Sequence, residues 1–323
     1  MIPFNSALFI SYLPYRKKIY SAGGWPDLKD EDGIPDIRKK LLGFFSTEIF
    51  DLCEHKTELF VKRYENPVGY SWMYLHDPEY PENLAAIYDP PPVIFFTGNN
   101  LFMHSGIAVV GTRNAAPIVR HAVFELIQLL KKKNPHTVIV SGFARGVDGM
   151  AHIASLKNKL HTVCVLGSGI FHPSPRSNLD ILKIAENAGL PITLLSEFPP
   201  DTEPVAYNFP RRNRIIAGLS ESLIVMQAPA KSGALISARY ALDEGRDVYV
   251  FDHELLEKPG FNEGGRKLLE EGAGMLELDL NGKIIVRSVQ EAAGNQLEFF
   301  EKKFAGDLSW LGEDYYILND GNS

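Results

Sequence analysis

Four short segments combine glycine with a hydroxyl or a guanidinium: Gly111-Thr112-Arg113, Ser141-Gly142-Phe143-Ala144-Arg145, Gly167-Ser168-Gly169 and Ser232-Gly233-Ala234. Glycine lets the backbone approach a ligand closely, hydroxyls and amides donate hydrogen bonds, and arginine presents a planar fork of donors to phosphate. One such segment carries little weight, because any tight strand-to-helix turn favours glycine. Four of them, two carrying arginine, point to a recurring phosphate-cradling edge. None is a standard nucleotide motif: GSGIFH lacks the third glycine of a dinucleotide fingerprint, and GxxxxGK[ST] is absent. His152, His161 and His172 have no metal-ligand spacing, and there is no GxSxG elbow. Asp148 and His152 read as a pair on a helix surface. Catalysis has little to stand on, and neither a metal nor a cofactor is expected.

The elements that must position these turns follow from hydrophobic patterning. Ile107–Val110, Thr137–Val140, Thr162–Leu166, Ile192–Leu195, Leu223–Met226 and Val248–Phe251 are short, continuous apolar runs. Continuous rather than alternating runs suit strands covered on both faces of a parallel sheet. Helical patterns lie between them, at Pro117–Lys133, Val147–Asn158, Ser177–Ala188 and Ala234–Glu244, with Gly189 and Gly245 as stops. The alternation predicts an α/β fold with a doubly wound, mostly parallel sheet. In such sheets ligands bind at the carboxyl ends of the strands, where the glycine turns fall. Ahead of the sheet, Ile34–Cys53 and Thr57–Tyr64 look helical, and PEYPENLAAIYDPPPVIFFTG reads as an extended connector. The expected organisation is a small helical N-terminal region (1–75), the α/β domain (76–280) and a short acidic C-terminal tail (281–323).

The chain has 323 residues, 45% hydrophobic and 23% charged, which excludes disordered and fibrous classes. No apolar run is long enough for a membrane span, and the N-terminal charges follow the apolar stretch, the reverse of a secretory signal. Cys53 and Cys164 lie far apart, so a reducing cytoplasm is expected. The net charge of -7 argues at face value against nucleic acid. Location reverses that argument. Residues 101–176 hold nine basic and two acidic side chains, a net of +7, while residues 251–323 come to -8. Such asymmetry creates a local field whatever the total. Lys131, Lys132 and Lys133 solvate a helix end, but Arg113, Arg145 and Arg176 sit at turns.

The most unusual run is Asn208-Phe209-Pro210-Arg211-Arg212-Asn213-Arg214, entering an apolar helix. Arginines on phosphate and a base stacked on Phe209 would make a single-strand site. The competing arrangement buries Phe209 and pairs an arginine with a carboxylate such as Glu197. It is expected for at least one of the three arginines, since one helix turn cannot aim all of them at one strand.

At this run the chain resembles a known family. FPRRNRIIAGLS, preceded by SGFARGVDGMAH and followed by SGALISARYALDEGRDVYVF, is similar to the DNA processing protein A family, also called DprA or Smf. YPENLAAIYDPPPVIFFTGN, VVGTR, LGSG…N, SEFPPDTEP and NEGGRKLLEEGA match in order, covering roughly residues 79–276. The resemblance implies an extended Rossmann-like domain in a cytoplasmic, non-catalytic and usually dimeric protein. Its members bind single-stranded DNA, protect it during natural transformation and help load the RecA recombinase. Carried over by position, Gly111, Thr112 and Arg113 should meet phosphate. Ser141, Gly142 and Arg145 should form a second phosphate turn, and Gly167 and Gly169 a third. Phe209, Arg211, Arg212, Asn213 and Arg214 should follow the strand path, and Ser232 and Gly233 should donate at the last helix start.

The chain also departs from the family pattern. Phe171 stands for aspartate and Ser174 for tyrosine in GSGIFHPSP, Gln227 stands for glutamate and Asp201 for glycine. No C-terminal winged helix is evident. Two other functions compete with a DNA-binding one. A nucleotide-processing hydrolase on a related fold would require PGGxGTxxE, where this chain has SGALISARYALDE with Asp243 and Glu244 at the far helix end. A nucleotide-sensing module is the third.

Overall fold

A computed structural model describes residues 1–14, 19, 22, 24–64, 69–98 and 106–287. Its centre is a ten-stranded sheet in the order β1-β2-β6-β5-β4-β3-β7-β8-β9-β10. The strands are β1 (Ser71–Tyr74), β2 (Val93–Phe96), β3 (Gly106–Val110), β4 (Val138–Ser141), β5 (His161–Val165), β6 (Ile192–Ser196), β7 (Ser220–Val225), β8 (Asp247–Phe251), β9 (Gly274–Leu278) and β10 (Ile284–Arg287). From β6 through β9 in the sheet order all pairings are parallel, and antiparallel strands flank this block at both ends. The described helices are α1 (Phe4–Tyr12), α2 (Ile34–Lys40), α3 (Thr47–Tyr64), α4 (Glu82–Ala85), α5 (Pro117–Lys133), α6 (Val147–Lys157), α7 (Leu179–Asn187), α8 (Asn208–Gly218), α9 (Ala234–Asp243) and α10 (Glu263–Glu270).

The continuous apolar runs have the cause expected of them. Val163 and Val165 of β5 face one core with Ile215 and Ala238, whereas the intervening Cys164 faces another with Leu156 and Ile181. Side chains alternate along a strand, so a sheet buried on both faces needs an apolar residue at every position. The second core also holds α1 through α3, from which Phe9, Ile37 and Phe60 pack towards Tyr74 and Phe95 of the first two strands.

Three expectations about the N-terminal region require correction. The helix predicted over 34–53 stops at Lys40, and Gly43 has a φ of 98°, a left-handed conformation that glycine accepts and that interrupts a helix. The break predicted before Thr57 is absent, because α3 runs unbroken through it. The proline-rich connector contains α4 and the fully buried strand β2, which pairs with both β1 and β6. The sheet therefore begins before residue 76, and β10 carries it past residue 280. The acidic stretch from 288 onward lies outside the described residues. Both cysteines are buried, and neither forms a disulfide. Among the described residues no helix is long and apolar enough to cross a membrane.

Candidate nucleic-acid interface

The sheet order brings the predicted turns together. From β3 the chain winds outward through β4, β5 and β6, then returns to lay β7, β8 and β9 on the other side of β3. The junction of β3 and β7 is thus the point where winding reverses, which opens a crevice at the carboxyl ends of the strands. The turns after β5, β4, β3 and β7 follow one another along that edge.

The turns after β3 and β4 interlock. Val147 N–H donates to Thr112 O (3.2 Å), and Thr112 N–H donates across the crevice to Gln227 O (2.8 Å). Gly146 has a φ of 75°, and a Cβ there would lie 2.3 Å from Thr112 O. This glycine is required by contact between two turns. Gly111 is similar, since its Cβ would meet a Val147 methyl at 2.6 Å. Arg113 and Arg145 are both exposed, and Arg145 Nε donates to Ser177 Oγ (3.2 Å).

Ser141 and Gly142 are corrections to the expected second phosphate turn. The Ser141 hydroxyl is fully buried and donates to Val109 O (2.6 Å). Gly142 N–H donates to Asp148 Oδ2 (3.1 Å), and a Cβ on Gly142 would strike that oxygen and the Arg212 guanidinium. Both donors are engaged within the protein, so these residues shape the turn from beneath. Asp148 and His152 are likewise not on a helix surface; both are buried. Asp148 caps the turn through Gly142 and Ala144, and His152 Nδ1 lies 2.7 Å from Thr162 Oγ1. Burial pushes the Asp148 carboxyl up and takes the His152 imidazole down to about 3. Asn178, the asparagine that closes LGSG…N, clamps the same turn by donating to Phe143 O (3.1 Å) and Ala144 O (2.8 Å).

The turn after β5 is set by two close approaches. A Cβ on Gly167 would lie 2.8 Å from Cδ1 of the half-buried Phe209 ring. Gly169 sits under the carbonyls of Pro199 and Pro200, and its N–H donates to Thr202 O (2.8 Å). Gly169 therefore packs against a loop, whereas Gly167 makes room for an aromatic face.

Helix α8 divides its arginines. Arg212 is 3% exposed and donates from Nη1 to the carbonyls of Gly142 (2.5 Å) and Val165. Burial brings its guanidinium down to about 10, opposed by the charges of Asp148 and Cys164 and assisted by that of Arg113. Arg214 is 4% exposed and binds Glu197 through both terminal nitrogens. It also reaches Asp89 through Nε. Neither side chain lies along a solvent-facing strand path; this corrects the expectation for both, and the reason is the carbonyls and carboxylates that converge on them. Arg211 is the half-exposed member, 3.1 Å from Glu197 Oε2, with its guanidinium over Phe198. Asn213 Nδ2 donates to Gly233 O (3.3 Å), tying α8 to the start of α9. Gly233 is exposed, with open space where a Cβ would be, and Ser232 is half-exposed beside the exposed Lys231. Gln227, a departure from the family pattern, braces the crevice by accepting from Ala116 N–H (2.9 Å) and donating to Phe261 O (3.2 Å).

The family model for DNA recombination-mediator protein A matches residues 71–286, more than half of the chain and all of the described sheet but its last residue. The chain belongs to this family. Among curated relatives it is 43% identical over 197 residues to the DNA processing protein DprA of Bacillus subtilis, covering 60% of this chain and 64% of that one. It is 39% identical over 195 residues to DprA of Streptococcus pneumoniae, covering 60% and 66%. The chain thus spans somewhat less than two thirds of the length of these relatives. Among solved structures, DprA of S. pneumoniae superposes with a TM-score of 0.70 at 31% identity, covering 85% of this chain and 95% of that one. A structure describing the single-stranded DNA binding mode of DNA processing protein A from Helicobacter pylori gives 0.54 at 30% identity, covering 64% and 90%. The expected doubly wound, mostly parallel sheet is thus observed, on a fold shared with the S. pneumoniae structure.

Proposed function

We propose that this protein binds single-stranded DNA along the carboxyl edge of β5, β4, β3 and β7. Phosphates meet Arg113, Arg145 and Arg211 and the exposed Gly233 at the start of α9, and a base stacks on Phe209. The observation that carries this reading is the row of turns from adjacent strands with exposed guanidinia at Arg113 and Arg145. Arg212 lies beneath them, close enough for Arg113 to disfavour its charge. A phosphate held by Arg113 offsets the like charge beneath it without touching the buried Arg212. Binding by the H. pylori relative supports the same reading.

In this reading the protein acts without catalysis, as a cytoplasmic homodimer. It shields incoming strands during natural transformation and recombination and hands them to the RecA recombinase. Fluorescence anisotropy with labelled oligo-dT and an equal-length duplex tests the binding. The single strand is expected to bind more tightly, with a log–log salt slope of about -0.7 per phosphate neutralised. No binding to either form at low salt sinks the reading. Delivery is tested by RecA filament formation on protein-coated single strands, which should start faster with the protein present than without it.

A further inference from the structure

We infer that the single strand continues beyond the Gly167–Gly169 turn onto an aromatic platform made by Phe171 and Tyr64, flanked by Arg63, which takes further nucleobases by stacking. This rests on the proposed single-strand path and extends it onto the N-terminal helices. Phe171 follows Gly167, which lies against the Phe209 ring, by four residues, at most about 14 Å along the chain, so successive nucleotides of one strand can reach both rings.

The ring of Phe171 is held from within. Phe60 lies nearly parallel to it at 6.2 Å between centroids, Tyr64 is tilted at 5.2 Å, and Tyr70 meets it edge-on at 5.4 Å. Phe171 N–H donates to Pro200 O (2.9 Å), which fixes its backbone. Phe60 and Tyr70 are buried, yet Phe171 remains 38% exposed. A pre-oriented aromatic face open to solvent at the end of the proposed single-strand path is what base stacking needs.

Charge fits the same occupant. The Arg63 guanidinium lies 5.3 Å from the Tyr64 ring centroid, and Lys62 and Arg63 close α3 with positive charge. Arg176 is exposed a few residues beyond Phe171. Two carboxylates also lie near, Asp201 accepting from the Tyr12 hydroxyl (3.3 Å) and Glu203 at 3.4 Å from His172 Nδ1, against the three cations Lys62, Arg63 and Arg176. Phenylalanine stands at 171 where the family pattern has aspartate, which puts a stacking surface at that position.

The test compares oligo-dT of about 6 and about 16 nucleotides, within the site sizes single-strand binders use. Phe171→Leu keeps the apolar filling but lacks the flat ring, and Arg63→Glu changes only an exposed side chain. Both should weaken the longer oligonucleotide at least fivefold or so and leave the shorter one nearly unchanged, whereas Arg113→Glu should weaken both. A 2-aminopurine near the distal end of the longer strand should be quenched by the parent protein and not by Phe171→Leu. Equal affinity of parent, Phe171→Leu and Arg63→Glu for the longer strand, with the short strand still bound, overturns the platform alone. Loss of all binding by the parent overturns the platform and the underlying path together.

Discussion

Arg214 and Glu197 form a two-pronged buried ion pair, Nη1 to Oε1 at 2.7 Å and Nη2 to Oε2 at 2.9 Å. It joins α8 to the end of β6, and Glu197, with no exposed surface, also receives Arg211. Glu197→Gln would leave a buried guanidinium facing a neutral amide. Removal of one partner from a buried pair costs about 3–5 kcal/mol. Asp89 still lies 3.0 Å from Arg214 Nε, so urea unfolding should place the variant below the parent by the lower end of that range, and an unchanged midpoint would show that Asp89 and water carry the charge.

Arg113→Glu separates site from scaffold. The side chain is exposed, so thermal stability should stay within about 0.5 kcal/mol. Affinity for oligo-dT should fall at least tenfold, with a salt slope shallower by about 0.7 for each phosphate no longer neutralised. Arg212→Met should do the reverse in part: its guanidinium holds Gly142 O and Val165 O from within, so stability falls along with binding. Tight binding by Arg113→Glu in low salt would move the path elsewhere.

Phe209 and Gly167 should report on one another. Phe209→Ala is expected to cost about 1–3 kcal/mol of single-strand affinity if a base lies on the ring. Gly167→Ala places a methyl where the ring edge now lies and should reproduce part of that loss by displacing it. Thermal destabilisation of Phe209→Ala at unchanged affinity would return the ring to the core.

Stability should decline in mild acid through His152. Its imidazole is fully buried and neutral, with a folded-state value of about 3 against an ordinary 6.5. The unfolded chain therefore takes up a proton first as pH falls below 6.5, and stability is lost from there down towards pH 3. The slope from this group is about 1.4 kcal/mol per pH unit. His161, lowered to about 4 by burial, acts in the same direction over a narrower window. Asp148 is shifted upward, so its contribution is favourable below the ordinary carboxylate range and is lost as pH rises. The difference between the parent and His152→Gln, followed by urea unfolding from pH 7 to about 5, isolates the histidine. Parallel curves would place a charged or solvated imidazole at 152.

Much of this molecule is legible in one dimension. Each of the six predicted strands coincides with an observed one to within a few residues, and the helix predicted at Pro117–Lys133 has those bounds. Continuous apolar runs and capping residues are local signals, and parallel strands in a doubly wound sheet obey them. The β2 strand is hidden in the sequence because VIFF follows three prolines, and its burial depends on pairing with β6 nearly a hundred residues later. The N-terminal break at Gly43 is hidden because a lone glycine in an apolar pattern does not announce a left-handed φ.

The sequence by itself determined that four glycine turns would open at strand ends and that positive charge would gather in one stretch of an acidic chain. Tertiary structure alone decided which of those residues look outward. Arg113 and Arg145 stay in solvent, while Arg212 and Arg214 turn inward, because Gly142 O, Val165 O and Glu197 arrive from distant strands to receive them. Ser141 and Gly142 are drawn into the scaffold by Val109 O and Asp148 in the same way. The physical reason is that a donor's direction is set by the acceptors that surround it after folding. A buried guanidinium must find them within the protein, and an exposed one remains available to a phosphate.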